Sequence, residues 1–232
     1  MRLDRSKFEL KTLLWDIDGT LLTTRGAGAK PFKETIERFL GLQIEFDVKE
    51  ISGLTDHQIV ALHLRQAGFV DLSEELISKL VLEYASKLQE TFDVLPVIPL
   101  PGILELLEIL YRLENYELAI ATGNCFCGAQ EKLSSAGLSK FFDEEKVFCS
   151  VDSGPRSDIL QRALSTLSTS SSSSIVIGDT IHDWNAAKDL DIPFILVVNE
   201  GSPNFDMKNT PRSISLGPSW SPKEFIRILN EL

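Results

Sequence analysis

Residues 13–22 read Leu-Leu-Trp-Asp-Ile-Asp-Gly-Thr-Leu-Leu. A short apolar run stops at Asp16, a second carboxylate follows at Asp18, and Gly19 and Thr20 let the chain leave the strand in a tight turn with both acids facing one cavity. Other apolar runs break off in the same way: Leu118 to Ala121 at Thr122, Val147 to Cys149 shortly before Arg156, and Ile175 to Ile177 at Gly178 and Asp179. A further run spans Phe194 to Val198. The runs alternate with helical stretches, which predicts an α/β fold with a parallel sheet core flanked by helices. Ligands of such sheets gather beyond the carboxyl ends of the strands, so the polar residues at those ends are expected to meet.

Between the first two runs the pattern is helical and reads as an insertion. Ile77, Leu80, Val81, Tyr84 and Leu88 share one helical face, and Thr55 to Gln58 fits a capping box opening the helix of Ile59, Leu62 and Leu64. The predicted division is a core of residues 1–23 and 97–232 with an α-helical cap domain at 24–96. Val94 to Gly102, with three prolines and a glycine, suits a stiff linker back to the core. Ser221, Pro222 and Glu224 supply a helix cap, an N1 proline and an N3 glutamate, so a last helix is predicted to reach Asn230. The serine-rich run 165–174 is predicted to be a flexible loop.

The net charge of −11 opposes a nucleic-acid or anionic-membrane surface. An anionic substrate would have to be drawn by a local cationic site. No stretch approaches the roughly 18 apolar residues of a membrane span, and the charged N-terminus lacks the apolar run of a secretion signal. Cys125, Cys127 and Cys149 form no disulfide framework or metal spacing and read as buried small residues of a reducing compartment. The chain is therefore expected to be soluble and cytoplasmic; a monomer or homodimer is the expected assembly.

Asp16, Asp18, Asp179 and Asp183 carry the chemistry. Two carboxylates about 4 Å apart repel by roughly 4 kcal/mol at an effective dielectric of about 20, so such a cluster needs a cation or must take up protons. Oxygen-only ligands without a His or Cys cluster suit Mg²⁺ better than zinc. One carboxylate can attack phosphorus while the other handles protons, splitting a very slow hydrolysis into two steps. Taken alone, Asp-x-Asp-Gly-Thr also fits an Asx turn after a strand.

WDIDGTLL (15–22), IATGN (120–124) and VIGDTIHD (176–183), in that order, resemble the motifs of the haloacid dehalogenase superfamily of hydrolases. The resemblance is to the branch with a helical cap, and most to its phosphoglycolate phosphatase-like members. Gly26 to Gly28 and the quartet Gly53, Leu54, Thr55 and Asp56 resemble that cap. The resemblance implies a Rossmann-like core and Mg²⁺-dependent hydrolysis of a small phosphomonoester, phosphoglycolate-like, through an aspartyl phosphate. It implies Asp16 as nucleophile and metal ligand, and Asp18 as acid and base whose backbone carbonyl binds the metal. Thr122 and the Gly123 amide would bind phosphoryl oxygens, Asp179 would complete the ligation, and Asp183 would hold a metal-bound water or another group. An Asp at position 18 argues against carbon–halogen cleavage.

The family's third motif carries a lysine where this chain has Gly154. Arg156 is the expected substitute, since a guanidinium binds phosphate bidentately and keeps its charge; Lys146 is the reserve. Arg25, Thr55, Asp56, His57 and Asn124 are candidate substrate contacts, although Thr55 already has a duty as helix cap. His182 is expected in a loop near the entrance. The alternatives are a sugar phosphomutase, a nucleotidase, or a phosphate-binding protein that has lost turnover.

Overall fold

The computed structural model describes residues 10–198, 213–216 and 220–232. Residues 1–9, with most of the charged N-terminus, lie outside that set. In chain order the elements are β1 (Lys11–Trp15), β2 (Leu22–Thr23), α1 (Ala29–Leu40), α2 (Val48–Ile51), α3 (Asp56–Gln66), α4 (Glu74–Ala85) and α5 (Leu88–Val94). Then come β3 (Ile98–Pro99), α6 (Ile103–Leu110), β4 (Tyr116–Ala121), α7 (Phe126–Ser135), β5 (Val147–Phe148) and α8 (Arg156–Leu167). Last are β6 (Ser174–Gly178), α9 (Ile181–Asp189), β7 (Phe194–Val197), β8 (Ser213–Leu216) and α10 (Pro222–Glu231).

The main sheet runs β5-β4-β1-β6-β7-β8 with every pairing parallel. Strand alternation sends the side chains into two cores, as a parallel sheet covered on both faces requires. Leu13, Trp15, Leu118, Ile120, Ile175 and Ile177 enter one core with Phe225 and Leu229 of α10. Leu14, Ala119, Ala121 and Val176 enter the other with Ile159 and Leu160 of α8 and Ala186 and Ala187 of α9. Trp15 is fully buried and stacks on Phe225 at 5.3 Å between ring centroids, which ties the middle strand to the last helix. Among the described residues no helix is long and apolar enough to cross a membrane.

The helices α1 to α5 lie between β2 and β3, which pair antiparallel as Leu22↔Pro99 and Thr23↔Ile98. This ribbon joins the helical insertion to the sheet. Phe32 of α1 and Tyr84 of α4 stack at 3.7 Å, and both are buried. Thr55 and Gln58 form the full reciprocal capping box at the start of α3.

Several local expectations need correction. Leu88 does not continue the face of Tyr84; α4 ends at Ala85 and Leu88 opens α5. The serine run is not loop throughout. Ser165 belongs to α8, Ser171–Ser173 form a 3-10 turn capped by the Ser170 hydroxyl, and Ser174 is buried at the start of β6. Serine hydroxyls bond nearby backbone groups there: Ser170 Oγ accepts from the Ser173 N–H at 3.2 Å, and Ser174 Oγ donates to the Ser170 carbonyl at 2.8 Å. His182 sits in the first turn of α9 rather than a loop, and Cys127 is exposed while Cys125 and Cys149 are buried. The edge strand β8, paired with β7, carries no apolar run that would announce it.

Candidate active site

Sheet register builds the site. Trp15 aligns with Ile120 on one side and Ile177 on the other, so Asp16, Thr122 and Asp179, one or two residues further on, emerge side by side. Carboxylate oxygens of Asp16, Asp179 and Asp183 lie within 4.8 Å of one another, and all three residues are buried. Asp183 reaches the cluster from α9, where it also completes a capping box: its Oδ2 accepts from the Thr180 hydroxyl at 2.6 Å and the Thr180 N–H at 3.1 Å. Gly19 must be glycine. Its φ is +78°, and a Cβ there would stand 2.1 Å from Asp179 Oδ2.

Arg156 closes the cluster from the first turn of α8. Its Nη2 binds Asp16 Oδ1 and lies 2.7 Å from Asp183 Oδ1, and its Nη1 donates to the Gly53 carbonyl at 3.3 Å. At Gly154 a Cβ would approach Asp152 Oδ1 to 2.7 Å, so the exposed Asp152 side chain would have to turn aside for a larger residue. The Gly154 carbonyl accepts from Gln58 of α3 at 3.0 Å. Lys146 is overturned as a candidate. It pairs with Glu117 at 3.3 Å and Asp143 at 3.1 Å, away from the cavity of the acids.

Three carboxylates and one guanidinium leave two negative charges uncompensated. Burial raises the Asp16 carboxyl to about 7 against the pull of Arg156, with Asp183 and Asp18 adding to the rise and the Thr122 hydroxyl opposing it. Asp179 is raised well above the carboxylate range, first by burial and then by Asp183 and Asp16. Buried acids in this state either hold protons or bind a cation. A hard divalent ion matches the two missing charges and the all-oxygen donor set, so the residues fit Mg²⁺. The Asp18 carboxylate is not part of the trio. It turns to Asn124, whose amide donates to Oδ2 at 2.8 Å, and to Lys132.

A cavity of about 280 Å³ lies over these groups. Asp16, Asp18, Thr122, Gly123, Asn124, Arg156 and Asp179 line it from the sheet domain, and Phe32, Ile51, Leu54, Ile59 and Tyr84 line it from the insertion. The insertion is docked at several points. The Asp56 N–H donates to the Gly123 carbonyl at 2.8 Å, the Asp56 carboxylate accepts the Cys125 N–H at 2.7 Å, and His57 Nδ1 shares a hydrogen bond with Ser150 at 2.7 Å. Gly53, with φ +81°, passes so close to α9 that a Cβ would sit 2.5 Å from the His182 ring. Among the cap candidates, Asp56 lines the cavity. Arg25 is exposed between Thr24 and Gly26, which line it, Thr55 is buried as the cap of α3, and His57 faces Ser150.

Sequence reading missed Lys132. It lies on the buried side of α7 beside Gly128, Ala129 and Leu133. A lysine on an apolar helical stripe was the available signal, because lysine is almost never buried without a partner. Burial works against its charge, but Asp18 and Asp56 outweigh that and raise it.

Burial pushes the Asp56 carboxyl up to about 6, with Lys132 and the Cys125 N–H opposing. A carboxyl raised on folding contributes stability that is complete below its unfolded value near 4 and is lost as pH rises through about 6. Asp56→Asn is therefore expected to flatten the fall in unfolding free energy between pH 4 and 7 by on the order of 2–3 kcal/mol. Denaturant melts at both pH values check this, and an unchanged slope rejects it.

A family model described as haloacid dehalogenase-like hydrolase matches residues 13–197. Pyrophosphatase PpaX of Halalkalibacterium halodurans is 26% identical over 216 residues, covering 88% of this chain and 94% of its own. CbbY of Rhodobacter sphaeroides, solved with phosphate, has a TM-score of 0.72 at 19% identity, covering 89% of this chain and 93% of its own. A haloacid dehalogenase-like hydrolase of Streptococcus pneumoniae has a TM-score of 0.66 at 23% identity, over 95% and 98% of the two chains. The two solved structures share the fold, and the family match spans the acids of β1, the end of β4 and the acids that follow β6. This chain belongs to the haloacid dehalogenase-like hydrolase family.

Proposed function

We propose that the chain is a magnesium-dependent phosphatase that hydrolyses a small phosphomonoester through a phospho-aspartate on Asp16, with residues 24–96 acting as a cap over the site. The observation that carries this reading is the convergence of the Asp16, Asp179 and Asp183 carboxylates within 4.8 Å, beside a cavity that Asp16 and Asp179 line together with apolar side chains of the insertion.

Asp16, Asp179 and Asp183 would hold Mg²⁺, together with the Asp18 backbone carbonyl. When bound, the ion neutralises charge between the nucleophile and the phosphoryl oxygens, a contribution on the order of several kcal/mol. The chain's own groups do the rest. An Asp16 carboxylate oxygen bonds to phosphorus while the ester bond breaks, and its electron pair stays on the leaving oxygen. Asp18 gives that oxygen a proton. Asp18 then takes a proton from water as the water oxygen bonds to phosphorus and the acyl phosphate bond returns its pair to Asp16. Thr122, the Gly123 amide and Arg156 orient the phosphoryl oxygens.

A volume of about 280 Å³ lies at the small end of ligand pockets, which run to roughly 300–1,000 Å³, and accommodates a small leaving group. The substrate class is therefore a small phosphomonoester such as phosphoglycolate. Inorganic pyrophosphate belongs in the same panel because of the relative's name. Phosphate release from phosphoglycolate, pyrophosphate, sugar phosphates and nucleoside monophosphates should be measured with Mg²⁺, with chelator, and after Mg²⁺ is restored. Turnover of a small substrate that stops with chelator and returns with the ion is expected. Turnover indifferent to chelator, or none on any substrate, defeats the proposal.

A further inference from the structure

Resting on the phospho-aspartate reading, we infer that Lys132 is a positioning residue that fixes Asp18 for proton transfer and joins it to the seated cap. Lys132 is 6% exposed, and a buried ammonium is tolerated only when its hydrogen bonds are made. Its Nζ donates to Asp18 Oδ2 at 2.6 Å and to Asn124 Oδ1 at 2.5 Å. Asn124 returns its own amide to Asp18 Oδ2 at 2.8 Å and to Thr122 Oγ1 at 2.8 Å. The three side chains form a closed ring. Both donors to Asp18 end on the same oxygen, so Oδ1 is the oxygen that exchanges the proton with the leaving group and then with water.

The ring is also read by the cap. Asp56 of α3 adds its negative charge to the field that holds Lys132. The Asp56 carboxylate accepts the Cys125 N–H at the start of α7, the helix that carries Lys132. In the core, then, one cation answers each acid of the first motif: Arg156 meets Asp16 and Lys132 meets Asp18. Arg156 replaces the family's missing lysine at the nucleophile, and Lys132 serves the proton-transfer group.

Leaving-group dependence separates positioning from mere structure. A nitrophenolate departs without a proton, whereas an alkoxide needs one, and general acid catalysis is worth about 10²–10⁴-fold. In Lys132→Met, kcat/KM for an alkyl phosphate is expected to fall by about 100-fold or more. For 4-nitrophenyl phosphate it should stay within about threefold, because loss of an acid matters only where the leaving oxygen must be protonated. The same variant should show a burst of nitrophenolate followed by slow turnover, since hydrolysis of phospho-Asp16 still needs Asp18 as base. The ratio of the two kcat/KM values does not depend on how much of the sample is folded. Lys132→Gln, which keeps a donor, should recover about tenfold of the alkyl phosphate loss, in line with a hydrogen bond to a charged group. In the double variant with Asp18→Asn, the Lys132 change should add no more than about twofold, because the two residues act as one unit. Equal loss on both substrates, or no loss on either, overturns the inference. Those results would leave the phospho-aspartate reading intact, whereas wild-type protein inert toward all phosphomonoesters would remove that reading first.

Discussion

Replacing Asp16 by Asn is expected to lower kcat with Mg²⁺ by on the order of 10⁴-fold or more, the scale seen when a covalent nucleophile is removed. The amide matches the carboxylate in size, so the packing of Trp15 and Ile17, both fully buried on either side of it, is preserved. It cannot form an acyl phosphate, and it removes one of the three charges that call for a divalent ion. Two measurements check the result. Steady-state phosphate release should fall to near buffer level, and the wild-type protein quenched during turnover should carry a phosphate adduct that the variant lacks. Activity within tenfold of wild type, or an adduct on the variant, would place the nucleophile elsewhere.

The second large effect is expected at Arg156. Its side chain is 10% exposed and bridges Asp16 and Asp183, whose side chains are 7% and 2% exposed. Breaking a buried pair by removing one partner costs about 3–5 kcal/mol, because the remaining charge is left uncompensated. Arg156→Met should therefore lower thermal stability in chelator by roughly that amount, and by much less with Mg²⁺ present, since the ion would answer the same carboxylates. The kcat/KM should fall by about 10²–10³-fold, as when one donor to a developing charge is lost. Lys146→Met serves as the contrast, because Lys146 pairs with Glu117 and Asp143 outside the cavity. Its activity should stay within about twofold, as expected of a substitution away from the site. If the two variants behave alike, Arg156 has been given the wrong role.

The strands and the acids at their ends were legible along the chain because their causes are local. Continuous apolar runs make β1, β4 and β6, as strands buried on both faces require, glycine permits the turn at Gly19, and Thr55 with Gln58 announces the start of α3 through contacts three residues apart. Such patterns depend on near neighbours and survive in a linear reading. The pairing of charges is different in kind. Lys132 meets Asp18 across 114 residues and Arg156 meets Asp16 across 140. Lys146, an equally good cation on paper, is spent on Glu117 and Asp143 at the sheet's edge. Composition offers all three cations; position relative to the third motif puts Arg156 ahead of Lys146, but nothing along the chain ties Lys132 to Asp18. A Coulomb interaction depends on separation and on burial, and neither exists until the sheet register and the docked helices bring distant residues into one dry volume.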